Sequence, residues 1–196
     1  MKVFKTDKRL KKIISVLHSR QFDLRVVLEN IHDPHNVSAI FRTCDAVGVP
    51  KVSLIYYIEK FPKIGKKSSA SAYKWVEREK YSSVEECYKQ LKSDGFKIYA
   101  SSISDDAVDL YKLNLTKKIA FVFGNEHRGI SEQAALLADK KFVIPMVGMV
   151  QSLNVSVSAA VVLYETLRQR MKKGMYSQSL LSETELAEYI EKWVRK

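Results

Sequence analysis

Apolar residues at the start of the chain recur at helical spacing. Leu10, Ile13, Ile14 and Leu17 share one face of a basic segment, which predicts an amphipathic helix up to about Arg20. Residues 24 to 30, Leu-Arg-Val-Val-Leu-Glu-Asn, then read as a strand. Helical spacing returns at Val37, Ile40, Cys44 and Val47, with Asn36 suited to cap that helix and Gly48 and Pro50 to end it. Residues 51 to 57 form a second predicted strand. From 59 to about 80 neither period holds, and a long loop is expected. A helix follows from about Val84 to Asp94, closed by Gly95, with strands over about 96 to 101, 118 to 123 and 141 to 144. A short helix is predicted from near Ser131, and a longer one from Leu153 to about Met171. The longer one is apolar on nearly every face until Arg168, so most of it should be buried. The last helix opens with Ser182-Glu183-Thr184-Glu185, a capping-box spacing.

Strands alternating with helices predict an α/β fold, a mainly parallel sheet with helices on both faces. With 196 residues, 46% of them hydrophobic, the chain suits one domain with a real core. The basic N-terminal helix (about 1 to 20) and a C-terminal helical extension (about 174 to 196) read as additions to that core. No stretch of about 18 apolar residues is present, so no membrane span is expected, and nothing at the start resembles a signal peptide. Cys44 and Cys87 are too few for a disulfide framework and read as buried thiols of a cytoplasmic protein.

Charge adds a partner. The formal net charge is +11, and it is uneven: residues 1 to 20 carry seven Lys/Arg against one acid, and residues 60 to 80 seven against two. Arg168, Arg170, Lys172 and Lys173 form a third cluster. Such a surplus favours a polyanion, though it also suits a plain solvated surface.

Several chemistries fail on their motifs. There is no Gly-x-Gly for a dinucleotide fold. Gly124 to Gly129 has the outer spacing of a P-loop but continues Ile130-Ser131, without the lysine that phosphate binding needs. No Gly-x-Ser-x-Gly elbow occurs. His32 and His35 have no partners to complete a metal site, and no metal is expected.

Three segments remain. Asn30 to Arg42 joins a strand end to a helix start, where open α/β sheets bind ligands; taken alone, Asn36 could be a simple cap and Arg42 a surface partner of Asp45. Phe121 to Ser131 runs from a strand through Gly124 and Glu126 to a possible cap at Ser131. Ile144 to Ser158 places Ser152, Asn154, Ser156 and Ser158 at the start of an apolar helix, where buried polar groups need partners. In this order the three segments resemble the signature motifs of the TrmH (SpoU) branch of the SPOUT methyltransferases, and the resemblance runs over essentially the whole chain. The two ends resemble those of tRNA (guanosine-2′-O)-methyltransferases.

The resemblance implies a C-terminal trefoil knot, a homodimer packed through the knot region, and S-adenosylmethionine as methyl donor. It places the cofactor against Ser101, Gly124, Ile144, Met146 and Leu153. Arg42, Asn36, Glu126, Ser152 and Asn154 match the catalytic positions, Arg42 as base or as phosphate and alkoxide stabiliser. The substrate implied is tRNA, at the ribose of the D-loop guanosine 18. Alternatives are another tRNA or rRNA ribose, or a non-catalytic RNA-binding knot protein. Arg9, Lys12, Arg20, Lys66, Arg168, Arg170 and Lys172 are the candidates for phosphate contact.

Overall fold

The structure is a computed structural model that describes residues 6–62 and 72–196. Seven strands form one all-parallel sheet: β1 (Leu24–Glu29), β2 (Lys51–Ile55), β3 (Glu77–Tyr81), β4 (Lys97–Ser101), β5 (Val108–Asp109), β6 (Ile119–Phe123) and β7 (Lys140–Val143). Their spatial order is β3-β2-β1-β6-β4-β7-β5. The helices are α1 (Asp7–Ser19), α2 (Pro34–Val47), α3 (Ala72–Trp75), α4 (Val84–Ser93), α5 (Glu132–Leu137), α6 (Val155–Lys172) and α7 (Glu183–Val194).

The two most apolar runs, β1 and β6, are neighbours at the middle of the sheet and are buried throughout, as strands covered on both faces must be. One face carries Leu28, Phe121 and Phe142, packed under α2 and α6. The other carries Val27, Ile98 and Val122, packed under α4 and α5. A third, smaller cluster joins α1 to α7 through Ile13, Leu17 and Trp193. Ser182 opens α7 with the expected capping box, and Gly48 ends α2 at φ 85°.

Four expectations change. The loop expected from 59 to about 80 contains α3 and the edge strand β3. Glu-Arg-Glu-Lys-Tyr shows no apolar alternation because an edge strand buries little; Glu79 is held instead by Arg25 at 2.9 Å and by Lys51 at 3.3 Å. Strand β5 is only two residues long and gives no period to read. Helix α6 starts at Val155 rather than Leu153, with Asn154 as its cap. Nor is α6 buried all round, since Val157, Tyr164 and Met171 stand exposed on the side facing away from α2.

The fourth change concerns the basic candidates. Arg20 is 1% exposed and donates to Asp45 and to the Val49 carbonyl. Arg170 is fully buried and binds Asp23, Gln21 and the carbonyls of Leu115 and Lys117. Both are internal clamps, so neither reaches a phosphate. Arg170 has all three guanidinium nitrogens paired, as a buried cation requires, whereas the Nε of Arg20 has no partner among the described residues.

A candidate active site at the carboxyl edge of the sheet

Because every strand runs the same way, all carboxyl ends share one edge. The segments after β1, β6 and β7 meet there.

After β1, the cap of α2 is Asp33, which accepts from the His35 N–H at 2.8 Å, and Pro34 takes the first helical position. Asn36 therefore lies inside the first turn, and its side chain is free for longer-range bonds. Its amide donates to Glu126 Oε1 at 2.9 Å, and its Oδ1 accepts from the Asn154 amide at 3.0 Å. Glu126 also accepts from the backbone N–H groups of His32 (3.1 Å) and Asp33 (3.2 Å). Asn154 Oδ1 in turn accepts from the Ser156 N–H at 2.8 Å and caps α6. One polar chain thus links all three sequence segments. Burial pushes the Glu126 carboxyl up, but the bonds from Asn36 and from backbone N–H groups outweigh it and hold the group below the usual carboxylate range.

A second network, not anticipated from sequence, supports this one. Asn30 has φ 50°, an uncommon backbone state for which Asn is suited. Its Oδ1 accepts from the N–H groups of Tyr57, Ile58 and Glu59, while its carbonyl accepts from the Asn125 amide at 2.8 Å. Glu59 pairs with Arg128 at 2.7 Å and faces His32 Nδ1 at 3.3 Å. Asn at a strand end was the only available signal, and many such residues merely make turns.

Beside these networks lies a cleft of about 580 Å3. Ser101, Gly124, Ile144, Met146 and Leu153 all line it, joined by Glu126, Ser152 and Asn154. Gly124 has a steric reason to be glycine: a Cβ there would overlap the backbone of Gly129 and Ile130, which fold back against it. Ser131 caps α5, as its position suggested. Ser152 is exposed at the rim.

Arg42 is not among the residues that line the cleft. It lies on the exposed side of α2 and, among the described residues, makes no ion pair; Asp45 is taken by Arg20. Of the other basic candidates, Arg9, Lys12 and Lys172 are exposed, and Arg168 is exposed while paired with Glu165 at 2.7 Å. Lys66 lies outside the described residues. Among the described residues no cluster of His, Cys, Asp or Glu could hold a metal, and no helix is long and apolar enough to cross a membrane.

The family model described as the SpoU rRNA methylase family matches residues 23–164. A tRNA (guanosine(18)-2′-O)-methyltransferase from Thermus thermophilus is 44% identical over 98% of each chain. The 23S rRNA (guanosine-2′-O-)-methyltransferase RlmB of Neisseria meningitidis is 39% identical, over 77% of this chain and 60% of that protein. Among solved structures, the Aquifex aeolicus TrmH/SpoU tRNA modifying enzyme superposes with a TM-score of 0.91 at 43% identity, covering 96% of both chains. The chain therefore belongs to the SpoU methylase family.

Proposed function

We propose that this protein methylates tRNA at the 2′-oxygen of guanosine 18, with S-adenosylmethionine as the donor. Full-length similarity to an enzyme of that name supports the tRNA target over rRNA, for which similarity covers only part of the relative. The observation that carries the reading is the bond chain Glu126–Asn36–Asn154, which ties the start of α2 to the wall of the cleft.

The cleft fits the donor. It is large enough, and Gly124, Ile144 and Leu153 offer a mixture of apolar surface and backbone edges that suits a nucleoside with a methionine tail. When bound, S-adenosylmethionine supplies an electrophilic methyl on a sulfonium that departs as a neutral thioether. The remaining work falls to the chain. The ribose hydroxyl gives up its proton to solvent as its oxygen gains the methyl, and negative charge builds on that oxygen to the extent that proton loss runs ahead of methyl transfer. Arg42 is the cation for it. Its guanidinium makes no ion pair among the described residues, so it can grip the adjacent phosphate and stabilise the developing alkoxide. Asn36, Glu126 and Asn154 hold the loops at fixed spacing, and Ser152 lies at the rim to orient the nucleotide. Arg9, Lys12, Arg168 and Lys172 bind the RNA backbone.

Two further features belong to this reading. The exposed apolar side of α6, with Val157 and Tyr164, together with exposed Val147 and Met149, supports a homodimer closed over this region. Strand β7 lies between β4 and β5, which are consecutive in the chain, so residues 102–107 must pass β7 on one face. That arrangement suits the knotted C-terminal threading expected of the family, in a cytoplasmic enzyme.

The test is methyl transfer from radiolabelled S-adenosylmethionine to unmodified tRNA and to rRNA, with the labelled nucleotide mapped. Label at the ribose of guanosine 18 is the expected result. Label confined to rRNA would move the substrate, and no label in either would leave an RNA-binding protein without the chemistry.

A further inference from the structure

A second cleft opens on the same edge of the sheet, at the ends of β2 and β3, and nothing above employs it. Its volume is about 480 Å3, and Tyr56, Tyr57, Phe61 and Tyr81 line it together with Lys60 and Lys80. Tyr56 and Phe61 meet edge to face at 5.1 Å, and the Lys80 ammonium sits 6.0 Å from the Phe61 ring. Tyr57 is 46% exposed and its neighbour Ile58 60%, high values for large apolar side chains on one short loop. That loop is nevertheless fixed, because three successive N–H groups are held by Asn30 Oδ1. The exposed rings are thus presented on a rigid mount.

The cleft is also joined to the candidate active site. Glu59 lines it and binds Arg128, which lines the cofactor cleft, and Glu59 faces His32 of the α2 turn. With the order β3-β2-β1-β6-β4-β7, the aromatic cleft, the α2 turn and the cofactor cleft follow one another along a single edge.

Aromatic rings beside lysines are how proteins hold unstacked bases: the ring meets a base face and the ammonium meets the phosphate. We propose that the Tyr57–Phe61–Lys80 cleft holds an unpaired base of the RNA strand that carries the target ribose. The inference deepens the tRNA methylation reading and rests on it. It assigns the position of one extruded nucleotide beside the reacting one, and gives Tyr57 the ring that base contacts.

The experiment compares wild type with Tyr57→Ala, Tyr57→Phe, Tyr57→Trp and Lys80→Ala. It measures affinity for unmodified tRNA by fluorescence anisotropy, KM for tRNA, and affinity for S-adenosylmethionine. Loss of one stacked base weakens binding about five- to hundredfold. Tyr57→Ala should therefore weaken tRNA binding and raise its KM by that order, and Lys80→Ala should do so less. Affinity for S-adenosylmethionine should stay at the wild-type value. Tyr57→Phe and Tyr57→Trp should bind tRNA like wild type, since they keep a ring while losing the hydroxyl that donates to Glu29 at 2.8 Å. Unchanged tRNA affinity in Tyr57→Ala would overturn the proposal. So would a Tyr57→Phe defect equal to that of Tyr57→Ala, which would assign the role to the Glu29 bond. The binding readout needs no turnover, so a wild-type protein that binds tRNA without methylating it would sink the enzymatic reading alone.

Discussion

Asn154 donates its side-chain amide to Asn36 across 3.0 Å, although 118 positions separate the two residues. The bond ties the cap of α6 to the first turn of α2, while Asn36 passes its own amide to Glu126. Asn36 is thus donor and acceptor at once, through the two separate ends of its amide. Asn36→Ala leaves the Asn154 amide without its acceptor and Glu126 without one donor. The expected cost is about 1–3 kcal/mol in urea denaturation, with a fall in methyl transfer. Asn36→Asp should be no better, since it sets a carboxylate against Glu126. A variant of either kind with wild-type stability and turnover would show the network to be incidental.

Acid should weaken the same site. The Glu126 carboxyl is held below its ordinary value, so the stability it contributes is fully present above about pH 4.5 and is lost as pH falls through the lowered folded value. Thermal melts of wild type and Glu126→Gln across about pH 3 to 7 test the sign. The gap in favour of wild type should be largest near neutrality and close as acid is added. A gap that widens in acid would reverse the assignment.

Arg168 and Arg170 are two positions apart but should behave as opposites. Arg170→Ala strips the partner from Asp23, from the buried Leu115 carbonyl and from the part-buried Lys117 carbonyl. Breaking a buried ion pair in this way costs about 3–5 kcal/mol, readable in denaturant midpoints. Arg168→Ala removes an exposed guanidinium from the buried carboxylate of Glu165, which keeps the Gln169 amide, so its loss of stability should be clearly smaller than that of Arg170→Ala. The Arg168→Ala effect should appear in tRNA binding as a salt-dependence slope reduced by about one. Equal stability losses in the two variants would contradict the burial difference.

Arg42 separates chemistry from grip. It is exposed and makes no ion pair among the described residues, so Arg42→Ala should fold and melt like wild type. Turnover under saturating tRNA should fall by two or more orders of magnitude, on the order of removing one charge-stabilising donor. Binding of S-adenosylmethionine and of tRNA should persist. A variant that loses only tRNA affinity would reduce Arg42 to a phosphate anchor.

Much of this was readable from sequence, for physical reasons. The central strand β6 is a continuous apolar run and β1 is one but for Arg25 and Glu29, and the caps at Ser131 and Ser182 use side chains whose hydrogen bonding is local. The residues lining the larger cleft came only through the family resemblance, because no local period or cap marks a loop that is shaped by its backbone. What escaped was decided at long range. Asn36 looked like a cap until Asp33 and Pro34 proved to start the helix one turn earlier. Arg20 and Arg170 looked like surface charge, because nothing local marks the Asp45 and Asp23 that neutralise them. Strand β3 carries no period because it lies at an edge.

The packing of Leu17 against Trp193 sets a timetable for synthesis. The basic helix α1 is made before the sheet, yet its apolar face is fully covered when α7 emerges, 176 residues later by the numbering of those two side chains. At ribosomal speeds that interval is roughly 10 to 35 s. Until then α1 is short and lacks its contacts with α7, so it is marginal as a helix. A chain that terminates before α7 therefore carries the sheet and most of the cleft but lacks a docked basic arm, and the α1–α7 contact is reserved for chains translated through Trp193.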